Sequence, residues 1–155
     1  MLKLSSFKRI FAKFMLNIFP PYLGTGIRMT YLAPDLHEIE VQMKMHWYNR
    51  NYVKTHFGGS LYAMTDPFFM LMLIHILGKE YIVWDKAAQI EFIKPGRGTL
   101  SAQFKLTDQQ IEDIRNRTSA GEKYLPEYKV DIIDSAGTVV ASVIKTLYIR
   151  RKNGK

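Results

Sequence analysis

The sequence has no cysteine, which excludes disulfides, thiolate nucleophiles and metal centres built on cysteine thiolates. It is also short of negative charge. Fourteen Asp and Glu stand against 22 Lys and Arg, for a net charge of +8. No acidic residue precedes Asp35, whereas Lys3, Lys8, Arg9, Lys13 and Arg28 do, and the chain ends in Arg150, Arg151, Lys152 and Lys155. Positive potential of this kind attracts phosphates, nucleic acid or anionic membrane, and it also simply keeps a protein soluble. Among specific partners a phosphate-bearing small molecule is expected rather than nucleic acid. The phosphate-loop, dinucleotide-binding and zinc motifs are missing. His37 and His46 flank a strand without a paired ligand pattern, so no metal site is expected. A cysteine-free chain fits a reducing compartment, and a cytoplasmic location is the expectation.

What is present points to one packed domain. The chain has 155 residues, 47% hydrophobic and 23% charged, enough for one sizeable core and too few for two ordinary ones. Its organisation reads as an N-terminal amphipathic helix (1–21), a core (22–150) and a basic tail (151–155). From Leu2 to Phe19, Leu4, Phe7, Ile10, Phe11, Phe14, Met15 and Ile18 recur at helical spacing among basic residues. Pro20-Pro21 is expected to end that helix. It does not read as a signal peptide, because charges interrupt the apolar stretch. Packing on its own domain, lying on a membrane surface and joining subunits remain three readings of it.

Alternation predicts strands over Gly26–Leu32 and Glu38–Met45, the second with Ile39, Val41, Met43 and Met45 on one side. Trp47–Phe57 has no period and reads as a loop. Ser60–Leu77 is a nearly unbroken apolar run closed by Gly78, read as a buried helix kinked near Asp66-Pro67. Further strands are expected over Ile82–Ile93 and Thr99–Leu106. Then come a helix from Thr107 to Thr118 with a capping-box start and a hairpin pairing Glu127–Ile133 with Thr138–Ile149. The last strand looks apolar on both faces and is placed centrally. Beside the apolar run, Asp85 and Lys86 are read as an ion pair. One wholly apolar helix with about six mostly antiparallel strands predicts an α+β fold, a sheet curled around the helix.

The informative stretch runs from Asn51 to Asp66. Gly58-Gly59 precedes the apolar helix and lets another group approach the backbone. The first N–H groups of a helix lack internal partners, and they suit the oxyanion of an acyl-transfer transition state. Asp66 is the one carboxylate within the apolar run, a costly placement unless it is paired or functional. Asn51 is a neutral donor able to orient a water or hold a carbonyl.

Together these residues resemble the hotdog-fold thioesterases of the 4-hydroxybenzoyl-CoA superfamily, chiefly the phenylacetate-pathway type. That type carries an Asn, five further residues, His-Gly-Gly, and an Asp eight residues beyond the first Gly. Asn51, Gly58, Gly59 and Asp66 stand at those positions. The run His56-Phe57-Gly58-Gly59-Ser60 followed by Asp66-Pro67, with the N-terminal helix, is most similar to a branch described as a domain of unknown function. One position departs: the family's His falls on Phe57, and His56 sits one residue early. The resemblance implies a curled-sheet hotdog core from about Gly26 to Ile149 and a homo-oligomer, dimer or tetramer, with sites between subunits. It implies hydrolysis of an acyl-CoA or related thioester with Asp66, Asn51, Gly59 and Gly58 as the catalytic set. His56, Phe57, Ser60, Tyr62, Lys94 and Arg97 would contact substrate, and Arg150 and Arg151 are further candidates for the nucleotide phosphates. No cofactor is called for. The alternatives are a non-catalytic acyl-CoA or fatty-acyl binding protein, favoured by Phe57, and a lipid-handling protein held weakly to a membrane surface by its basic helix.

Overall fold

The computed structural model describes residues 4–152; the predicted helix start at Leu2 and the end of the basic tail lie outside them. Two helices open the chain, α1 (Ser6–Asn17) and α2 (Pro20–Thr25), followed by β1 (Ile27–Leu32) and β2 (Glu38–Lys44). Next come α3 (Gly58–Ala63), α4 (Phe68–Leu77), β3 (Tyr81–Phe92), β4 (Thr99–Lys105) and α5 (Asp108–Arg117). The chain closes with β5 (Lys123–Tyr124), β6 (Glu127–Ile133) and β7 (Val139–Arg151). The strands form one sheet in the order β1-β2-β4-β6-β7-β3, with the two-residue β5 paired to β7; every pairing is antiparallel. Seven strands rather than about six result, because β5 is too short to show a period.

Alternation places the core on one face of the sheet. Ile39, Val41 and Met43 of β2 stand opposite Phe104, Ala102 and Leu100 of β4, and all six are buried. The core-facing side of α4, Phe68, Phe69, Met72, Leu73 and Leu77, lies against them. Phe68 and Phe104 meet with ring centroids 4.9 Å apart, as do Phe69 and Tyr128. Burying each such side chain stabilises the fold by roughly 1.5–3 kcal/mol. α5 begins with the expected capping box, in which Thr107 Oγ1 accepts from Gln110 N and Gln110 Oε1 accepts from Thr107 N.

The apolar run is two helices, not one kinked helix. Residues 64–67 interrupt it, and the Asp66-Pro67 peptide is cis. Proline offers no N–H and disfavours a helical residue before it. The Thr65 hydroxyl donates to Tyr62 O at 2.8 Å and closes the end of α3. By length and composition Gly58–Leu77 is apolar enough to cross a membrane, but half of its apolar stretch is buried inside the protein.

At the N-terminus Pro20-Pro21 does more than end α1: the two prolines open α2, where a missing N–H costs nothing. α1 lies along the free edge of β1 with a mixed inner side, where Ala12 and Leu16 pack against the core and three polar side chains reach the strand's backbone. Arg9 donates to Leu32 O at 3.3 Å and Lys13 donates to Thr30 O. Asn17 donates to Met29 O at 3.3 Å and accepts from Met29 N at 2.8 Å.

Candidate active site

The loop from Asn51 to Thr55 is built by Asn51 itself. Its amide nitrogen donates to Thr55 Oγ1 at 2.9 Å and to His56 O at 3.2 Å, and its Oδ1 accepts from Thr55 N at 3.0 Å. Both amide hydrogens are thereby used inside the loop. Asn51 is not the free donor expected from the sequence, because it secures a turn in which Lys54 adopts a left-handed φ of 60°.

His56 fastens the end of that loop to the β3–β4 connection. Its N–H donates to Gly96 O and its Nε2 to Gly98 O, both at 2.9 Å. A carbonyl partner requires the proton on Nε2, which leaves Nδ1 as an acceptor; Nδ1 is buried without a partner. Burial lowers the His56 pKa against the opposing pull of the Gly98 carbonyl, so the ring is neutral at physiological pH. Gly96 lets the connection pack closely, since a methyl group there would stand 2.8 Å from Leu100 and 3.0 Å from Val140.

A cleft of about 500 Å³ opens beside this latch, lined by Asn51, His56, Gly58, Lys94 and Arg97 together with Phe92 and others. Five of the expected residues therefore share one wall. Ser60 does not join them: it is turned inward and buried, because its position in α3 faces the core. Phe57, at the position of the family's His, is 58% exposed and lies over Gly59. A methyl group on Gly59 would come within 2.4 Å of its ring, so the ring packs against the Cα of that glycine. Among the described residues no acceptor within the chain meets the N–H groups of Gly58 and Gly59. Arg150 and Arg151 are absent from this cleft's lining; Arg150 donates to Gly121 O at 3.0 Å and Arg151 pairs with Glu80 at 3.4 Å.

Asp66 belongs to a second cluster. The Lys145 ammonium, only 1% exposed, meets Asp66 Oδ1 at 2.8 Å and Asp85 Oδ2 at 3.3 Å. The ring of Tyr62 lies 5.2 Å from that ammonium. Asp66 keeps 43% of its side chain exposed, and its backbone carbonyl accepts from the Tyr22 hydroxyl. The ion pair expected between Asp85 and Lys86 is corrected. β3 slips register against β7 between Asp85 and Ala87, so Lys86 is the extra residue of a bulge, exposed, while Asp85 stays inside.

Lys145 is the residue that sequence reasoning missed. It follows Ala141 and Val143 and precedes Leu147 and Ile149 on the buried face of β7, whereas Ile144 on the other face is 40% exposed. The strand is thus not apolar on both faces. A lysine at an inward position needs an anionic partner, and that demand was the available signal. Burial alone would lower the Lys145 pKa; the Asp66 hydrogen bond and both carboxylates more than reverse this, and it lies above the ordinary lysine value. Burial raises the Asp85 pKa, the neighbouring Asp66 raises it further, and Lys145 offsets only part.

The sign of the consequence is fixed. A carboxyl whose folded pKa lies above its ordinary 3.8 binds protons more readily folded than unfolded, so its contribution to stability falls as pH rises from 3.8 through its raised value. Asp85→Asn should remove that slope. Thermal melts of both proteins from about pH 4 to about pH 7 should show wild type losing stability relative to the variant as pH rises. Parallel curves would show that Asp85 is not the titrating group.

Among the described residues no three His, Asp or Glu side chains come together as a metal site. A family model described as a domain of unknown function (DUF4442) matches residues 7–149. No curated protein matches the sequence. Solved structures do. A Pseudomonas aeruginosa protein of unknown function, named a probable thioesterase, is 16% identical, with 97% of this chain and 99% of that one covered at a TM-score of 0.82. A Haemophilus influenzae thioesterase is 15% identical over 97% and 96% of the two chains, TM-score 0.68. The Escherichia coli PaaI protein from the phenylacetic acid degradation operon is 16% identical over 96% and 94%, TM-score 0.60. At these identities the likeness establishes the fold alone, the hotdog fold.

Proposed function

The chain belongs to the DUF4442 family, and we propose that it is a thioester hydrolase acting on an acyl-CoA or related thioester. The observation that carries this reading is Asp66. The one carboxylate in the apolar stretch, at the family's spacing from Gly58, is held by a buried lysine at 2.8 Å while 43% of its side chain remains open to solvent. In the reaction the thioester carbonyl oxygen accepts from the N–H groups of Gly58 and Gly59, which have no acceptor of their own. Asp66 takes a proton from water as its oxygen attacks the carbonyl carbon, or attacks that carbon itself. As the C–S bond breaks, the sulfur takes the proton that Asp66 removed from water; where Asp66 itself attacks, the thiolate takes a proton from solvent and water then hydrolyses the Asp66 acyl anhydride to the free acid. Lys94 and Arg97 on the cleft wall offer cations to the nucleotide phosphates. The route uses no metal.

The two halves of this site lie on different walls of one subunit, and pairing of two subunits would join them. β3 is twelve residues long and stands at the sheet's edge, with Trp84 43% and Phe92 57% exposed. A long unpaired edge invites another strand. In the resulting homodimer the Gly58-Gly59 backbone of one subunit faces Asp66 of the other. Light scattering should give a dimer or tetramer at micromolar concentration; a stable monomer opposes this arrangement.

Thiol release from short aliphatic, long aliphatic and aromatic acyl-CoA substrates tests the activity. At least one class should be hydrolysed well above the buffer rate. Failure of the whole panel, with acyl-CoA still bound, would establish instead the second reading, a non-catalytic acyl-CoA binding protein. The ring of Phe57 over Gly59 favours that reading.

A further inference from the structure

From the exposed aromatic face of α1 we infer that the outer face of α1 and α2 docks this protein on an anionic lipid surface. The helix sets Ala12 and Leu16 against the core, with three polar side chains beside them. Arg9, Lys13 and Asn17, spaced four apart, are engaged with the backbone of β1. The opposite face is left to water: Phe7 is 77% exposed, Ile10 68%, Phe11 56% and Phe14 58%. Ile18 on α1's last turn, Phe19 and Leu23 on α2 continue the same exposed apolar surface. A soluble protein rarely leaves so many large apolar side chains contiguous on one helix without a partner.

Charge identifies the occupant. The first 34 residues contain no anion, and while Arg9 and Lys13 are held against β1, Lys8 and Arg28 are exposed. Leu23 lines a cleft of about 390 Å³ together with Arg28 and Lys44, and no acidic residue lines it. Cations therefore flank the apolar face, the combination by which a helix lies at an anionic membrane interface with its aromatic side chains in the headgroup–acyl boundary. A second copy seated here would set two cation-rich segments against each other. The face also borders β1, at the opposite edge of the sheet from β3, so subunit pairing through β3 leaves it uncovered. This docking is independent of hydrolysis at Asp66.

The test is co-sedimentation of the full chain with vesicles of phosphatidylcholine alone or mixed with phosphatidylglycerol. Wild type should sediment with the phosphatidylglycerol vesicles, weakly with phosphatidylcholine alone, and less at high salt. Phe11→Glu with Phe14→Glu changes two exposed side chains; it should keep the circular dichroism spectrum and lower vesicle binding by at least about tenfold. Arg28→Gln with Lys44→Gln should reduce binding to the anionic vesicles while leaving the weak phosphatidylcholine binding unchanged. Wild type remaining in the supernatant with anionic vesicles would overturn the inference. So would undiminished binding by the folded Glu variant, or light scattering in which the Glu substitutions dissolve an oligomer and vesicle binding is absent, since the face would then seat a second copy.

Discussion

Lys145→Met should lower stability by roughly 3 kcal/mol at neutral pH, the scale of breaking a buried ion pair from one side. The ammonium is 1% exposed and is the cation between Asp66 and Asp85. Methionine fills similar space, so packing is nearly kept and the loss is electrostatic. Asp85, 19% exposed, is left beside another carboxylate with its Oδ1 already unpartnered. Asp66 is 43% exposed and can turn to water, which holds the effect toward the lower end. The loss should shrink in acid, because a protonated Asp85 no longer needs the lysine. Adding Asp85→Asn to Lys145→Met should recover more than half of it at neutral pH, since no buried charge is then stranded. Urea unfolding of the two variants against wild type decides the matter. A single variant as stable as wild type, or a double variant no better than the single, would show that the cluster does not hold this sheet to the α3–α4 break.

Much of the fold was legible because its signals are local. The period of two in β2 and β4, the capping box at Thr107 and the turn around Gly137 each report a short-range constraint, and the elements stand where those signals put them. The break between α3 and α4 was half legible: Pro67 marked the place, but the Thr65 hydroxyl that closes α3 onto Tyr62 O carries no periodic signal. Sequence distance hid the Asp66 cluster, since Lys145 stands 79 residues from Asp66. Asp85 stands beside Lys86 in sequence, but a bulge turns Lys86 outward and the cation that meets Asp85 is Lys145. Period alone also could not tell that α1 turns Arg9, Lys13 and Asn17 inward, because amphipathicity gives a helix two faces without saying which the protein covers. At the loop, Asn51 and His56 carried family spacing, while their hydrogen bonds run to Thr55, Gly96 and Gly98 and depend on how two connections meet.

Asp66→Asn should abolish most hydrolysis while leaving the protein folded. Relief of an unpaired buried charge would make such a change neutral or stabilising, but Asp66 is paired. The asparagine oxygen can still accept from Lys145, and Asp85 still balances part of its charge. The stability cost should therefore be about 1 kcal/mol, the worth of one partly exposed charge-assisted interaction. Catalysis is affected differently, because an amide neither takes a proton from water nor attacks a carbonyl. Losing a general base typically costs at least about 100-fold, close to 2.7 kcal/mol of barrier. The glycine N–H groups are untouched, so substrate binding should change little and the fall should appear in kcat. Rates measured under saturating acyl-CoA, alongside a melting curve of the same preparation, separate the two effects. A folded Asn variant with wild-type turnover would remove Asp66 from the mechanism. A variant that loses several kcal/mol of stability yet keeps its rate would make Asp66 a structural partner of Lys145 and nothing more.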